Sequence, residues 1–301
     1  MRKQGRRRRI TNAAMSAAAF ACVIIALVPL ASILYSAAVE GGKAIGPAFF
    51  TQNEPPPCSP TLQANCPTGG IANALQGTLI LVGIATLIAL PLGILTGIYL
   101  SEYGRLSRFG AGVRFVTDVM TGIPSIVVGI VIFAIFLLVA QAGWIPLRYV
   151  TSATSGIVAL TVIMTPIVAR TVEEALRLVP TTIREAALAL GIPRWRAILR
   201  IVLSTGKAGV VTGALLAVAR ASGETAPLIV TAGGSFFGFA GFDQSIAAMP
   251  LLIYVNGLSG VPNYVTLAWG TALVLILIML GISLAARLAL HRVLKGAGAA
   301  R

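Results

Sequence analysis

Residues 71–101 read Ile-Ala-Asn-Ala-Leu-Gln-Gly-Thr-Leu-Ile-Leu-Val-Gly-Ile-Ala-Thr-Leu-Ile-Ala-Leu-Pro-Leu-Gly-Ile-Leu-Thr-Gly-Ile-Tyr-Leu-Ser, with no charged side chain. About 20 apolar residues in helical form cross a hydrocarbon core. A soluble helix or strand would interrupt such a run with polar residues at its own period. Five further runs share the character: Ala13–Val39, Val119–Pro146, Ala153–Ala169, Ala208 onward past one Arg and one Glu to Ala232, and Val261–Ala286. The 301 residues are 57% hydrophobic and 11% charged, with mean hydropathy +0.91, whereas soluble domains carry roughly 25% charged residues. Backbone polar groups must be satisfied within lipid, so the runs predict helices. Pro29, Pro91, Pro124 and Pro166 do not oppose this, since proline is frequent in spanning helices. The expected fold is an all-α polytopic membrane protein of six spans.

Basic residues set the orientation. Arg2, Lys3 and Arg6–Arg9 precede the first run, and Arg105, Arg108 and Arg114 follow the second. Arg170, Arg177, Arg184, Arg194, Arg196, Arg200 and Lys207 follow the fourth, while Arg287, Arg292, Lys295 and Arg301 close the chain. The other loops hold only Lys43 and Arg148. With six spans every basic loop falls on one side, which the positive-inside rule makes cytoplasmic, and both termini with it. The net charge of +14 is therefore topological and does not mark a nucleic-acid surface. The expected organisation is a basic arm over 1–12, a six-span domain over 13–290 and a cytoplasmic tail over 291–301. Within the domain lie an outer loop at 40–70 and a cytoplasmic loop at 174–207. A cleaved signal peptide also begins with basic residues, but the run behind Arg9 is long and lacks a small-x-small exit, so it reads as a retained span.

Groups for bond chemistry are scarce. His291 is the single histidine, which leaves no zinc motif and no Ser-His-Asp triad. Gly206-Lys207 is followed by Ala208, so no nucleotide-cradling loop is present. Ser204-Thr-Gly-Lys207 matches Ser-x-x-Lys without its companion motifs. No catalytic residue, metal or cofactor is expected in this chain. Cys22 reads as a small apolar residue of the first run. Cys58 and Cys66 flank part of a proline-rich outer loop. A disulfide in an oxidising compartment and two free thiols suit them equally.

The charged pair of the fifth run is the candidate site. Arg220-Ala-Ser-Gly-Glu224-Thr-Ala-Pro227 places Arg and Glu four residues apart, on one helix face. A span starting near Ala208 puts Arg220 about 18 Å along it, slightly past the middle of a roughly 30 Å core. An arginine there costs about 2.5–3.5 kcal/mol on insertion scales, so it faces a bundle interior or a wet path. It is either an ion pair locking two helices or an anion site, since guanidinium offers a planar fork to phosphate or carboxylate oxygens. In the second case Glu224 holds Arg220 when the site is empty, and Ser222 and Thr225 add hydroxyls. Asp118, read as opening the third run, suits a helix N-terminus. Gly122-Ile-Pro124-Ser125 is a natural bend, either a packing kink or a cavity lining.

The basic loop carries a second device. Pro180-Thr-Thr opens a helix, Glu185 falls in its first turn, Gly191 ends it and Pro193 starts another. Ala186, Ala187 and Ala189 leave a smooth surface suited to a groove, and Trp195 suits a membrane interface. A docking helix and a plain interfacial amphipathic helix both fit this pattern. Phe236, Phe237, Phe239 and Phe242 cluster beyond the fifth run, and Ser245–Val255 is too short to cross, which suggests a re-entrant or interfacial piece.

Glu185-Ala186-Ala187, then Gly191, then Ile201-x-Leu203 resembles the EAA loop of ABC-importer permeases, with Ser204 where the family usually has proline. In that family the loop is a coupling helix that docks in a separate ATPase subunit. Gly122-Ile-Pro-Ser-Ile-Val, Val179-Pro-Thr-Thr-Ile-Arg-Glu-Ala-Ala-Leu-Ala-Leu-Gly and Arg220-Ala-Ser-Gly-Glu-Thr-Ala-Pro-Leu together resemble permeases of the phosphate-specific importer, in wording its PstA-type subunit. The likeness covers the chain from about Ile71 onward and leaves the Cys58–Cys66 loop unmatched. It implies a type I importer fold in a bacterial plasma membrane and a role for Arg220 and Glu224 in phosphate passage. It also implies a PstC-like sister permease, ATP-binding subunits that hold ATP and Mg, and an extracytoplasmic phosphate-binding protein. A permease for sulfate or molybdate, or a stand-alone carrier, are the competing expectations; a carrier often shows internal repeats, and the two halves show none.

Overall fold

The structure, a computed structural model, describes residues 2–58 and 66–298. The loop 59–65 and the end of the expected tail lie outside the described residues, as do the side chains at 1–7, 9, 10, 286 and from 289 onward. α1 (Arg2–Ala44) takes in both the basic arm and the first apolar run. Residues 11–35 of it are exposed throughout. The helix packs where Gly41 meets the Trp269 carbonyl and Ala44 meets Gly270, both on α12 (Pro262–Gly298). A short α2 (Pro47–Thr51) leads into the loop that carries Cys58 and Cys66.

Three helices form the centre: α3 (Ala72–Ile98), α6 (Ala153–Arg177) and α9 (Leu203–Ser222). Leu81, Ala85 and Ala89 of α3, Leu160, Met164 and Val168 of α6 and Ala217 of α9 are buried in one core. Lipid does not drive helices together as water does, so close backbone approach must supply the contact. Glycine provides it on both sides of α6. Gly93 and Gly97 of α3 face Val168 and Val172, and Gly206, Gly209 and Gly213 of α9 face Leu176, Ala175 and Thr171. A Cβ at any of these glycines would come within 2.8 Å of its neighbour.

Two runs are broken, the third at the bend expected over Gly122-Ile-Pro124-Ser125. The third becomes α4 (Arg108–Gly122) and α5 (Ser125–Gln141), bent by 107°. Ile123, held extended by the proline that follows it, makes the break. Asp118 therefore lies near the end of α4, not at a helix start; Ser107 caps that helix. The carboxylate instead pairs with Arg170 of α6 at 3.3 Å. The fifth run starts earlier than expected. α7 (Thr181–Ala189) is followed by a turn and α8 (Arg194–Ala197), and a π turn at Ile198–Val202 joins α8 to α9. One rod thus runs from Arg194 to Ser222, and with Ser204 in place of proline nothing forces a stop. The rod ends at Gly223, and α10 (Ala226–Thr231) resumes beyond it.

α11 (Met249–Gly257) is the expected short piece, and it is packed inside protein, with Met249, Leu251 and Leu252 buried beside α3 and α12. Its first amide, at Met249, donates to Thr78 Oγ1 of α3 at 2.8 Å, which satisfies one of the donors a helix start leaves open. Among the described residues five helical segments are long and apolar enough to span, and six if the bent α4–α5 pair is one span.

Candidate functional site

The glycine contacts fix an antiparallel register in which Gly206, Gly209 and Gly213 of α9 pass Leu176, Ala175 and Thr171 of α6. Continued two turns further, it sets Arg220 level with Met164, about 16 Å from the Ala153 end of α6 and about 20 Å from the Arg177 end. Arg220 is thus near mid-depth. Its side chain is 52% exposed and points off the bundle, on the α9 face that also shows Thr212 and Leu216.

Glu224 lies past the end of α9, yet its carboxylate turns back to Arg220, 3.2 Å from Nε, and is only 12% exposed. The Gly223 amide closes on the Arg220 carbonyl, and this turn allows the return. Thr225 stands at the start of α10 without a side-chain capping hydrogen bond and is partly exposed beside the pair. Ser222 does not join it. Two residues from Arg220 is about 200° around a helix, and Ser222 is buried with its hydroxyl donating to the Val218 carbonyl. It borders an apolar cleft with Thr78, Val82, Met249 and Ile278 instead. Gly129 of α5 packs on Pro227, which brings the start of α5 alongside this break.

The other site lies at the far end of α6. Pro180 opens α7, and Gly191 turns the chain at φ +73°, a value that glycine takes without steric cost. Glu185, Ala186, Ala189, Leu190 and Gly191 are exposed, but Ala187 is 3% exposed and packs inward. The outward surface is thus made by Ala186 and Ala189, with Ala187 as its anchor.

A family model for the inner membrane component of binding-protein-dependent transport systems matches residues 89–295. The chain is 42% identical over 253 residues to the phosphate transport system permease protein PstA of Xylella fastidiosa (strain 9a5c), covering 84% of this chain and 83% of the relative. It is 38% identical over 288 residues to PstA of Yersinia pestis, covering 95% and 92%. The chain belongs to this permease family, among its PstA-type members. The permease also matches a bacterial alginate ABC transporter, solved with an alginate-bound periplasmic protein, at TM-score 0.66 and 16% identity over 93% of this chain and 94% of that one. An inward-facing MetNI methionine ABC transporter matches at TM-score 0.57 and 20% identity, covering 73% and 93%. The fold is that of type I ABC importer permeases. The permease is a multi-pass inner-membrane component and a transport subunit, not an enzyme.

Several residues that hold the permease together are invisible as local patterns. Glu102, in the π turn Tyr99–Tyr103 that ends α3, is buried and takes the guanidinium of Arg184 on both carboxylate oxygens, at 2.6 and 3.0 Å. Glu173 of α6 is fully buried, accepts from Arg114 at 2.8 Å and pairs with Arg177 at 2.6 Å. Arg114, Arg170, Arg177, Arg184 and Arg194 thus have structural partners besides any topological role. At the opposite end Cys58 and Cys66 form a disulfide. Cys66 packs on Val261 and Tyr264, and the Tyr264 hydroxyl donates to the Pro56 carbonyl at 2.9 Å. Glu54 accepts from Asn256 at 2.9 Å, and burial raises its carboxyl above the ordinary 4.5, an effect the hydrogen bond partly offsets.

Proposed function

We propose that the permease forms one half of the membrane path of an ATP-driven importer of inorganic phosphate. Its PstA-named relatives support this, over nearly the full chain. The observation that carries the mechanism is a guanidinium near mid-depth, half exposed, beside a carboxylate that can release it. α7, with both chain ends, faces the cytoplasm, and the disulfide loop faces outside. ATP-binding subunits dock on Glu185, Ala186, Ala189 and Gly191 and hold ATP and Mg; this chain holds no cofactor. A PstC-like sister permease lies against the α9 face of Arg220, and an extracytoplasmic phosphate-binding protein delivers the anion between the two.

In the resting pair the largely buried Glu224 neutralises the half-exposed Arg220. Arriving phosphate offers oxygens of matching geometry to the guanidinium fork. Glu224 is then displaced, and Thr225 is placed to donate its hydroxyl. Movement of α7 on ATP binding shifts α9 through the continuous rod from Arg194, which opens the path alternately to each side. Phosphate uptake by membranes holding equal amounts of complex tests this. Loss of a charge-assisted contact of about 1.5–3 kcal/mol lowers uptake about 10- to 100-fold in Arg220→Gln. Unchanged uptake removes Arg220 from the path, and uptake of sulfate or molybdate in place of phosphate overturns the substrate.

A further inference from the structure

Two buried carboxylates and their arginines converge on one turn of the fold. Glu102 holds α7 through its side chain and α8 through its main chain. Arg184, the residue before Glu185, grips both carboxylate oxygens, and Arg194 donates to the Glu102 carbonyl while its guanidinium lies 5.0 Å from the centre of the Tyr103 ring. Arg184 also donates to the carbonyls of Leu176 at 2.8 Å and Val179 at 2.5 Å, at the end of α6 and just past it. One planar guanidinium, whose donors are set rigidly, thus ties the first turn of α7 to α3 and α6 together. Arg114 of α4 donates to the Leu100 carbonyl at 3.3 Å, two residues from Glu102, and to Glu173 of α6. The π turn Tyr99–Tyr103 is therefore joined to α4, α6, α7 and α8. α4 leads into the bent third span, and α8 runs into the rod that carries Arg220.

We infer that Glu102 and Arg184 are positioning residues that transmit displacement of α7 to the spanning helices. The inference rests on the proposed docking of an ATPase at α7. A lone contact between α7 and the bundle would let the helix rock without moving the core. A bidentate pair with both partners largely buried, shared with α6 and α8, forces the four segments to move as one body. With Glu102→Gln the Arg184 fork keeps its carbonyl partners but loses its charged one, so α7 still forms and docks while its hold on α3 slackens.

The test uses the complete complex with its ATPase subunits, sister permease and binding protein in proteoliposomes, with phosphate uptake and ATP hydrolysis measured together. In Glu102→Gln we expect the ATPase subunits to co-purify as before and basal hydrolysis to stay within about twofold. Phosphate transported per ATP falls about tenfold, and hydrolysis no longer responds to the loaded binding protein. Arg184→Lys, which keeps the charge but not the fork, should give the same split in milder form. It also serves if Glu102→Gln does not assemble. Uptake and hydrolysis that fall together with loss of the ATPase subunits would show mere structural support and overturn the inference, as would an unaltered transport-to-ATP ratio in both variants. A wild-type complex that moves another oxyanion would refute the phosphate reading alone, and the same ratio measured with that anion would still decide the role of Glu102.

Discussion

One methyl group at Gly213 tests the packing that carries Arg220. A Cβ there would lie 2.3 Å from Thr171 Oγ1 and 2.6 Å from Thr171 Cβ, whereas carbon atoms in contact favour about 3.5–4.0 Å. The Thr171 hydroxyl is bonded to the Ile167 and Val168 carbonyls at 2.9 and 3.1 Å. Turning it aside forfeits about 1 kcal/mol and leaves the clash with Cβ. α9 must then move off α6 by about 1 Å, and overpacking of this kind costs about 1–3 kcal/mol. Gly83 of α3 is the control, since nothing lies within 4 Å of a Cβ added there. At about 2–4 °C per kcal/mol, purified Gly213→Ala complex melts about 5 °C below wild type, and Gly83→Ala does not. Phosphate uptake falls in Gly213→Ala as well, because Arg220 is about two turns along the same helix. A Gly213→Ala complex that melts and transports like Gly83→Ala would refute the α6–α9 register from which the depth of Arg220 is read.

Other outcomes follow from the two ends of the bundle. Gly191 has a positive φ and open space around it, so Gly191→Asn should keep the α7–α8 turn and retain more uptake than Gly191→Val, which costs about 1–2 kcal/mol there; equal uptake in the two excludes a conformational demand at this turn. The Cys58–Cys66 bridge closes a loop with a sequence separation of 8, worth about 2.5 kcal/mol by loop entropy. Reductant should therefore speed proteolysis of the outer loop in wild type and not in Cys58→Ser, and thiol labelling of both residues without reductant contradicts the bridge. Glu54 binds a proton more readily folded than unfolded, so its contribution to stability is complete below pH 4.5 and declines as pH rises through its raised value. Glu54→Gln, which imitates the protonated group and still accepts from Asn256, should protect the loop from protease at neutral pH and flatten its dependence on pH above 4.5; an unchanged dependence would assign it to another group.

The candidate site was legible only where its logic is local. The Arg220–Glu224 spacing and the Pro180, Gly191 and Pro193 punctuation appear in the structure as an ion pair and as α7, turn and α8. Nearness in the chain groups Ser222 with Arg220, and helix rotation separates them. Ala187 was grouped with Ala186, and the same rotation turns it inward. Glu102 and Glu173 belong to no motif in the sequence. Arg184 is 82 residues from Glu102 and Arg114 is 59 from Glu173, and no periodicity reports a pairing at that range; helical spacing reaches Arg177, four residues on from Glu173.

Run length, the segregation of arginine to alternate loops and the glycine–proline punctuation by themselves determined that this chain is a six-span helical bundle with an exposed helical device between its fourth and fifth spans. These features follow from transfer into lipid and from backbone geometry over a few residues, which act before any helix meets another. Tertiary structure alone decided which face of α9 is buried, how sharply the third span bends and where the fifth breaks, that Cys58 and Cys66 join and that Glu102 binds α7 and α8 to the core. Each of these depends on which helices dock and in what register, and glycine-to-side-chain contacts set that register between segments far apart in the chain.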